Sequence, residues 1–259
     1  MNRFFLILFS LLISSQLFAQ SISIGPKIGV VAGSPVPYEY IPQGAKGMPK
    51  AGRNVGLFTN IEFNDKYSIT YEVNLTRKHT SFETPLDSIE YVDRVQHPTL
   101  PHIVFEIETW FTGKAFGEFD NFYVEQALMH NISITDRMKA SVGVYSAWLQ
   151  KSNTYATGIG RAGFNPDTVV QELDYASQMR EWDYGLKAGI QVKATKNIDC
   201  DLKISYGFES VFNDSFTMFN YSMHNTFIEL SIYYKFNVFK NYGRNNIADR
   251  NVSYPRIKV

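Results

Sequence analysis

At 259 residues, with 25 basic and 25 acidic side chains and a net charge of +0, the chain can form one sizeable β domain. It offers no electrostatic case for nucleic acid or for any strongly charged partner. A single cysteine, Cys200, excludes a disulfide framework, and no cysteine follows the leader to carry a lipid anchor.

Arg3 supplies a positive start, and Phe4 to Ile13 form an apolar run of about ten residues ahead of Leu17-Phe18-Ala19. That pattern predicts a secretory leader over residues 1–19, cleaved after Ala19, although Leu17 is larger than such a site favours. A membrane helix takes about 20 apolar residues, and neither this run nor any later one is long enough. An exported chain of this kind is periplasmic, secreted or an outer-membrane barrel.

Eight segments then alternate with period two, apolar residues facing one way and polar residues the other. The first is Ile22 to Val30, with Ile22, Ile24, Ile28 and Val30 on the apolar face. The second runs from Val55 to Phe63, and Asn64-Asp65-Lys66 turns it into the third, Tyr67 to Thr76. The fourth is Phe122 to Ile134, which turns at Thr135-Asp136-Arg137 into the fifth, Met138 to Trp148. The sixth alternates from Trp182 to Lys193, and a turn at Thr195 to Asp199 leads to the seventh, Asp201 to Glu209. The eighth, Thr226 to Phe236, ends on an aromatic.

Links after the second, fourth and sixth segments are short, and those after the first, third, fifth and seventh are long. Barrels of the outer membrane have short periplasmic turns and long extracellular loops, whereas a soluble sandwich has no reason to alternate them. The 20 Phe and 16 Tyr would supply aromatic girdles at both interfaces. The expected fold is therefore all-β, an antiparallel up-and-down transmembrane barrel of eight strands occupying residues 20–236. Ile89 to Val95 and Ile103 to Phe111 also look like strands. They form either an extracellular hairpin, which Pro98 and Pro101 favour, or two further wall strands that would make ten. Residues 237–259 carry Lys240, Arg244, Arg250, Arg256 and Lys258 against Asp249 alone, and read as a basic periplasmic tail.

Ile24-Gly25-Pro26-Lys27-Ile28-Gly29-Val30, the hairpin within Phe119 to Leu149, Tyr184-Gly185-Leu186-Lys187-Ala188-Gly189 and the closing Leu230 to Phe236 resemble PorT-like outer-membrane barrels of Bacteroidota. These are related in form to OmpX-type small barrels. The likeness covers most of residues 22 to 236 and rests on patterns of glycines and aromatics. It implies an eight-stranded barrel without defined activity; founding members of that family serve a secretion and gliding apparatus. The basic tail departs from the usual ending at the terminal aromatic.

The polar face of the strands carries Lys27, Glu62, Glu72, Glu125, Lys139, Asp183, Lys187, Lys203, Glu209, Glu229 and Lys235, together with Lys193 and Asp201. An eight-stranded barrel is just wide enough for its side chains to fill. Buried charges of both signs then predict an internal ion-pair network plugging the lumen, with a conducting pore as the alternative.

Gly158-Ile159-Gly160-Arg161-Ala162-Gly163 matches a dinucleotide fingerprint, but lacks the strand before and helix after that the mechanism needs, and reads as loop flexibility. His97 and His102, near Asp87, Asp93 and Glu106, match no zinc spacing, and no serine stands in a nucleophile motif. No catalytic residue, cofactor or metal is expected. His130 shares the outward register near the periplasmic interface, His79 and His224 lie at loop ends, and Cys200 faces outward near a turn. Tyr91, Phe105, Trp110, Phe111, Phe116, Tyr155, Phe164 and Tyr175 fall in the long connections, and form either a contact surface or a self-packed cap. The expected function is that of a non-enzymatic, monomeric interaction or accessory protein in outer-membrane lipid. It would contact envelope or secretion-system proteins through loops or tail, with a small channel or ligand-binding barrel as the alternative.

Overall fold

The computed structural model describes residues 21–37, 43–96, 102, 104–163, 168–216 and 221–240. The predicted leader and most of the predicted tail lie outside them. Eleven antiparallel strands follow in chain order: β1 (Ser21–Pro37), β2 (Lys46–Glu62), β3 (Tyr67–Gln96), β4 (Val104–Ser133), β5 (Met138–Ser152), β6 (Tyr155–Ala162), β7 (Val169–Asp174), β8 (Trp182–Lys193), β9 (Ile198–Ser210), β10 (Met223–Tyr234) and β11 (Phe236–Lys240). Eight of them, β1-β2-β3-β4-β5-β8-β9-β10, close into a ring through the β1–β10 pairing.

The ring has a definite stagger. One hydrogen-bonded row starts at Val192 on β8 and passes through Cys200, Ile232, Ile28, Val55, Leu75, Val124 and Trp148. It returns to β8 at Trp182, an offset of ten residues. With eight strands about 4.8 Å apart and about 3.3 Å of rise per residue, that offset tilts the strands by roughly 40°. Every side chain in the row is on the outer face, so apolar residues wind once around the barrel without a break. Because the side-chain period is two, a slip of one residue between any two strands would turn this row inward and expose the charged face.

The three short turns share one device. Asn64 Oδ1 accepts the N–H groups of Lys66 and Tyr67, Thr135 Oγ1 those of Arg137 and Met138, and Thr195 Oγ1 those of Asn197 and Ile198. A short polar side chain thus satisfies donors that the sheet ladder cannot reach, which is why Asn and Thr open these turns.

At the opposite end the strands outgrow the ring. β3 and β4 are 30 residues each and stay paired from Tyr67↔Ile132 to Gln96↔Val104. A barrel strand needs only about 9–11 residues to span a bilayer. The expected extracellular hairpin at Ile89 to Val95 and Ile103 to Phe111 is present rather than two extra wall strands: Ile89↔Phe111 through Gln96↔Val104 pair above the ring as the continuation of the third and fourth strands. β6 continues β5: Asn121↔Ser152 is followed in the same register by Glu118↔Tyr155, and Asn153 donates to the Asp120 carbonyl across the break. β7 folds back on β6, which leaves a four-stranded sheet, β3-β4-β6-β7, standing above the ring.

Two expectations need correction. Gly158 to Ala162 is strand rather than loop; Gly160 is required because a Cβ there would lie 2.3 Å from the Thr112 carbonyl oxygen, and only Gly163 takes a left-handed φ of 56° to turn the chain. The final wall strand does not stop at Phe236. β11 pairs Ile24↔Phe236 through Ser21↔Lys240, so the residues placed at the start of the tail extend the sheet.

The mouth beneath the protruding sheet is covered. Phe119, Ala156, Tyr175, Met179, Val211 and Phe212 form a buried cluster joined by Phe82, Leu149, Phe216 and Met223. Phe212 and Phe216 stack with centroids 3.9 Å apart, and Tyr175 meets Phe216 edge-on at 5.5 Å. Replacing Phe212 by Ala should remove the centre of this cluster, at a cost of about 3–5 kcal/mol to its local packing. Protease added outside intact cells should then cut the connections around residues 175–216 faster than in the parent. Heat-modifiable migration of the barrel wall on a gel should stay the same.

Candidate functional site

The inward positions of the alternation converge on one buried network. Lys27 on β1 pairs with Glu72 on β3 at 2.6 Å and with Glu229 on β10. Lys203 on β9 reaches Glu72 at 2.5 Å, Asp201 at 2.7 Å and the Tyr233 hydroxyl at 2.7 Å. Lys187 on β8 pairs with Glu125 on β4 and with Glu229 at 3.1 Å. One level nearer the mouth, Lys78 pairs with Asp183 at 2.9 Å, and Asp183 also accepts from Asn225 at 2.8 Å and from the Tyr145 hydroxyl.

Each of these cations bridges strands that are distant in sequence, and all are nearly dry. Lys27, Glu72 and Glu125 are no more than 1 % exposed. Aromatic rings complete the packing: Lys27 and Lys203 each lie 5.3 Å from the Tyr233 ring centre, and Lys78 lies 4.9 Å from that of Tyr123. Low dielectric makes every such pair strong and every unpaired charge expensive, so the four lysines and their carboxylates hold one another in place.

Not every predicted lumen residue joins this centre. Glu62 and Lys139 pair at 3.0 Å, and Lys235 pairs with Asp199 at 2.8 Å, all at the short-turn end. There they line a cavity of about 510 Å³ that opens outward and stops below the central network. Lys193 is exposed at the same rim. Glu209 is half-exposed at the opposite rim, where the hydroxyl of outward-facing Tyr184 donates to it and Arg180 approaches within 3.5 Å. The sequence reading missed Lys78, Tyr145, Asn225 and Tyr233. Lys78 is legible, since Asn74, Thr76, Lys78 and Thr80 continue the inward alternation past the expected end of the third strand at Thr76.

The other predicted residues separate cleanly. His130 lies on the outer face and stacks on Tyr67 at 5.8 Å near the short-turn end. Tyr71 donates to Gln126 Oε1 at 2.8 Å, which satisfies a polar side chain on the apolar band. His97 and Phe164 lie outside the described residues, as does the side chain of Tyr91. Tyr175 and Phe111 are buried, whereas Trp110, Phe116 and Tyr155 are exposed on the outer face of the protruding sheet. The long-connection aromatics thus divide between a cap and a surface.

The network makes a measurable claim on stability. Glu125→Gln or Lys187→Met alone should destabilise the barrel by about 3–5 kcal/mol, because each leaves a buried partner charge uncompensated. The double variant should lose clearly less than the two single losses added together, as read from urea unfolding in detergent.

No curated protein matches the sequence. Among solved structures, Ail of Yersinia pestis, in complex with the heparin analogue sucrose octasulfate, is 12% identical over 83% of this chain and 99% of its own, with a TM-score of 0.40. Neisserial surface protein A is 12% identical over 83% and 97%, at 0.34. OprG of Pseudomonas aeruginosa is 9% identical over 84% and 97%, at 0.31. The family model described as "Outer membrane protein beta-barrel domain" matches residues 18–213, which span the ring from β1 through β9 and the protruding sheet. The closed, outwardly apolar ring is thus that of a known membrane family, and the chain belongs to the outer membrane protein beta-barrel domain family.

Proposed function

We propose that the protein is a non-enzymatic interaction protein, an accessory of an envelope machine, that engages its partner through the sheet β3-β4-β6-β7. The carrying observation is the outer face of that sheet. Phe116 alternates with Trp110 along β4, Ile159 stands opposite Lys114 and Val170 opposite Ile159, so Trp110, Phe116, Tyr155, Ile159 and Val170 share one exposed face. Exposed aromatic and aliphatic side chains set among Lys114, Glu118 and Glu172 have the composition of a contact surface. Among the described residues β7 is the last strand of the protruding sheet, a position at which a partner can add a strand. In this proposal residues 1–19 are removed on export, the short turns face the periplasm, and the barrel is a monomer of the PorT-like kind.

The dry central network supports a binding role over conduction, because ions would have to displace paired charges to pass. A second reading rests on one feature. A pocket of about 290 Å³ at the mouth, lined by Pro35, Val36, Phe82, Phe119 and Met223 with Lys46 and Glu83 at its wall, has the size for a small ligand with an apolar body and a polar group.

A native gel of the protein from outer membranes in mild detergent should show a co-migrating partner that mass spectrometry identifies. Phe116→Ser combined with Ile159→Ser should abolish that band, while truncation after Lys240 should leave it. Loss only on truncation would instead make the basic tail the docking segment. Planar bilayers should stay silent with the parent protein. Steady conductance whose ion selectivity changes in Lys187→Glu would replace the interaction reading by a channel.

A further inference from the structure

At the extracellular end of the apolar band, the described outer face of β2 to β5 carries charge. On β2, Arg53 is the next outward residue beyond Val55, and on β3, Arg77 is the next beyond Leu75. On β5, β8 and β9 this boundary is aromatic: Trp148 stacks on Trp182 at 5.9 Å, with Tyr184, Tyr206 and Phe208 beside them, while β1 and β10 present Val30 and Leu230 in the row of Arg53. The charged residues therefore lie at headgroup level on β2, β3, β4 and β5, where exposed Lys151 stands opposite Phe122 in the row that holds Arg53 and Arg77.

Their arrangement is built. Arg53 and Arg77 are directly opposite in the β2–β3 register, where side chains of like charge repel. Between Lys50 and Arg53 the register shifts, with Lys50 opposite His79 and Arg53 opposite Arg77. The residue inserted there puts Lys50 on the same outward face as Arg53; in an unbroken strand it would point into the lumen. Gly52 makes the bulge feasible, since a Cβ at that position would stand 1.9 Å from the Arg77 carbonyl oxygen.

The nearby acids do not cancel the cluster. Asp120 accepts from Arg77 Nε at 2.6 Å and Nη2 at 2.9 Å, and also from Asn153. Glu118 is held by Lys50 and, at 3.0 Å, by His79. These pairings use up the carboxylates but leave Arg77 with N–H donors to spare, since a guanidinium has five. Arg53 is exposed and makes no ion pair or side-chain hydrogen bond among the described residues. It is the surplus cation.

We propose that Arg53, Arg77 and Lys50 form a site for a phosphate group carried by a glycolipid of the outer leaflet. An anion between the two guanidiniums relieves their repulsion and accepts the fork of donors that suits phosphate. The acyl chains of such a lipid lie on Val55, Leu57, Val73 and Leu75, which continue the same two strands below the charges. Because Arg53, Arg77 and Lys50 stand on the adjacent strands β2 and β3, the lipid occupies one fixed position on the circumference.

The test uses full-length protein extracted from outer membranes in mild detergent. Native mass spectrometry of the parent should show a retained phosphorylated glycolipid. Arg53→Gln and Lys50→Gln should each lower its occupancy on the order of tenfold. Arg161→Gln, an exposed charge on the protruding sheet, should leave it unchanged, and heat-modifiable migration verifies that all three variants are folded. Delipidated protein is then titrated with diphosphorylated lipid A, its dephosphorylated form and inorganic phosphate, and thermal stability is followed. Stabilisation by the phosphorylated lipid alone upholds the proposal. Equal stabilisation by inorganic phosphate would make this a free-phosphate site, and equal retention of glycolipid by Arg53→Gln would remove the site altogether.

Discussion

Backbone hydrogen bonding in a solvent that cannot supply any governs this molecule. Within a bilayer each unpaired N–H or C=O costs several kcal/mol, so a sheet that crosses must have no free edge. The chain meets this by pairing β1 with β10 and by staggering the ring ten residues per circuit. Strand number and stagger together set tilt and diameter, and the diameter of an eight-stranded ring leaves an interior that side chains must fill.

The interior of the ring follows from that closure. Inward positions cannot all be apolar, because the strands have to stay soluble enough to be exported and inserted, yet a lumen this narrow cannot hydrate many charges. Charges of opposite sign on facing strands resolve the conflict. Glu72 accepts from Lys27 and Lys203, Glu229 from Lys27 and Lys187, and Tyr233 wedges its hydroxyl between Glu72 and Asp201. Shared partners make the network act as a unit, which rigidifies the wall and leaves recognition to the ends.

Above the bilayer the constraint is relaxed and the strands behave as ordinary sheet. Edges no longer have to close, so among the described residues β7 ends the protruding sheet. Apolar residues can lie on either face; those turned inward pack into the cap around Phe212, and those turned outward remain exposed. At the boundary between the two regimes, the bulge at Gly52 re-aims Lys50 and gathers cations on one side of the barrel.

Local order was legible in the residues themselves. Period-two alternation places Lys27, Glu72, Glu125, Lys187 and Glu229 on one face whatever the tertiary arrangement, and Asn64, Thr135 and Thr195 announce their turns through hydrogen bonds that close within four residues. Pairing across the lumen was not legible, because Lys203 meets Glu72 over 131 positions of sequence and only the closure and stagger of the ring decide which charges face each other. The same holds for length. β3, β4 and the β5–β6 continuation run on past the membrane because their neighbours pair with them, and a polar stretch such as Thr80 to Asp87 does not reveal alone whether it has such a neighbour. Alternation is a property of one strand, and the sequence determines it; register belongs to two strands, so tertiary structure alone sets the ion pairs, the cap and the outward cluster of Arg53, Arg77 and Lys50.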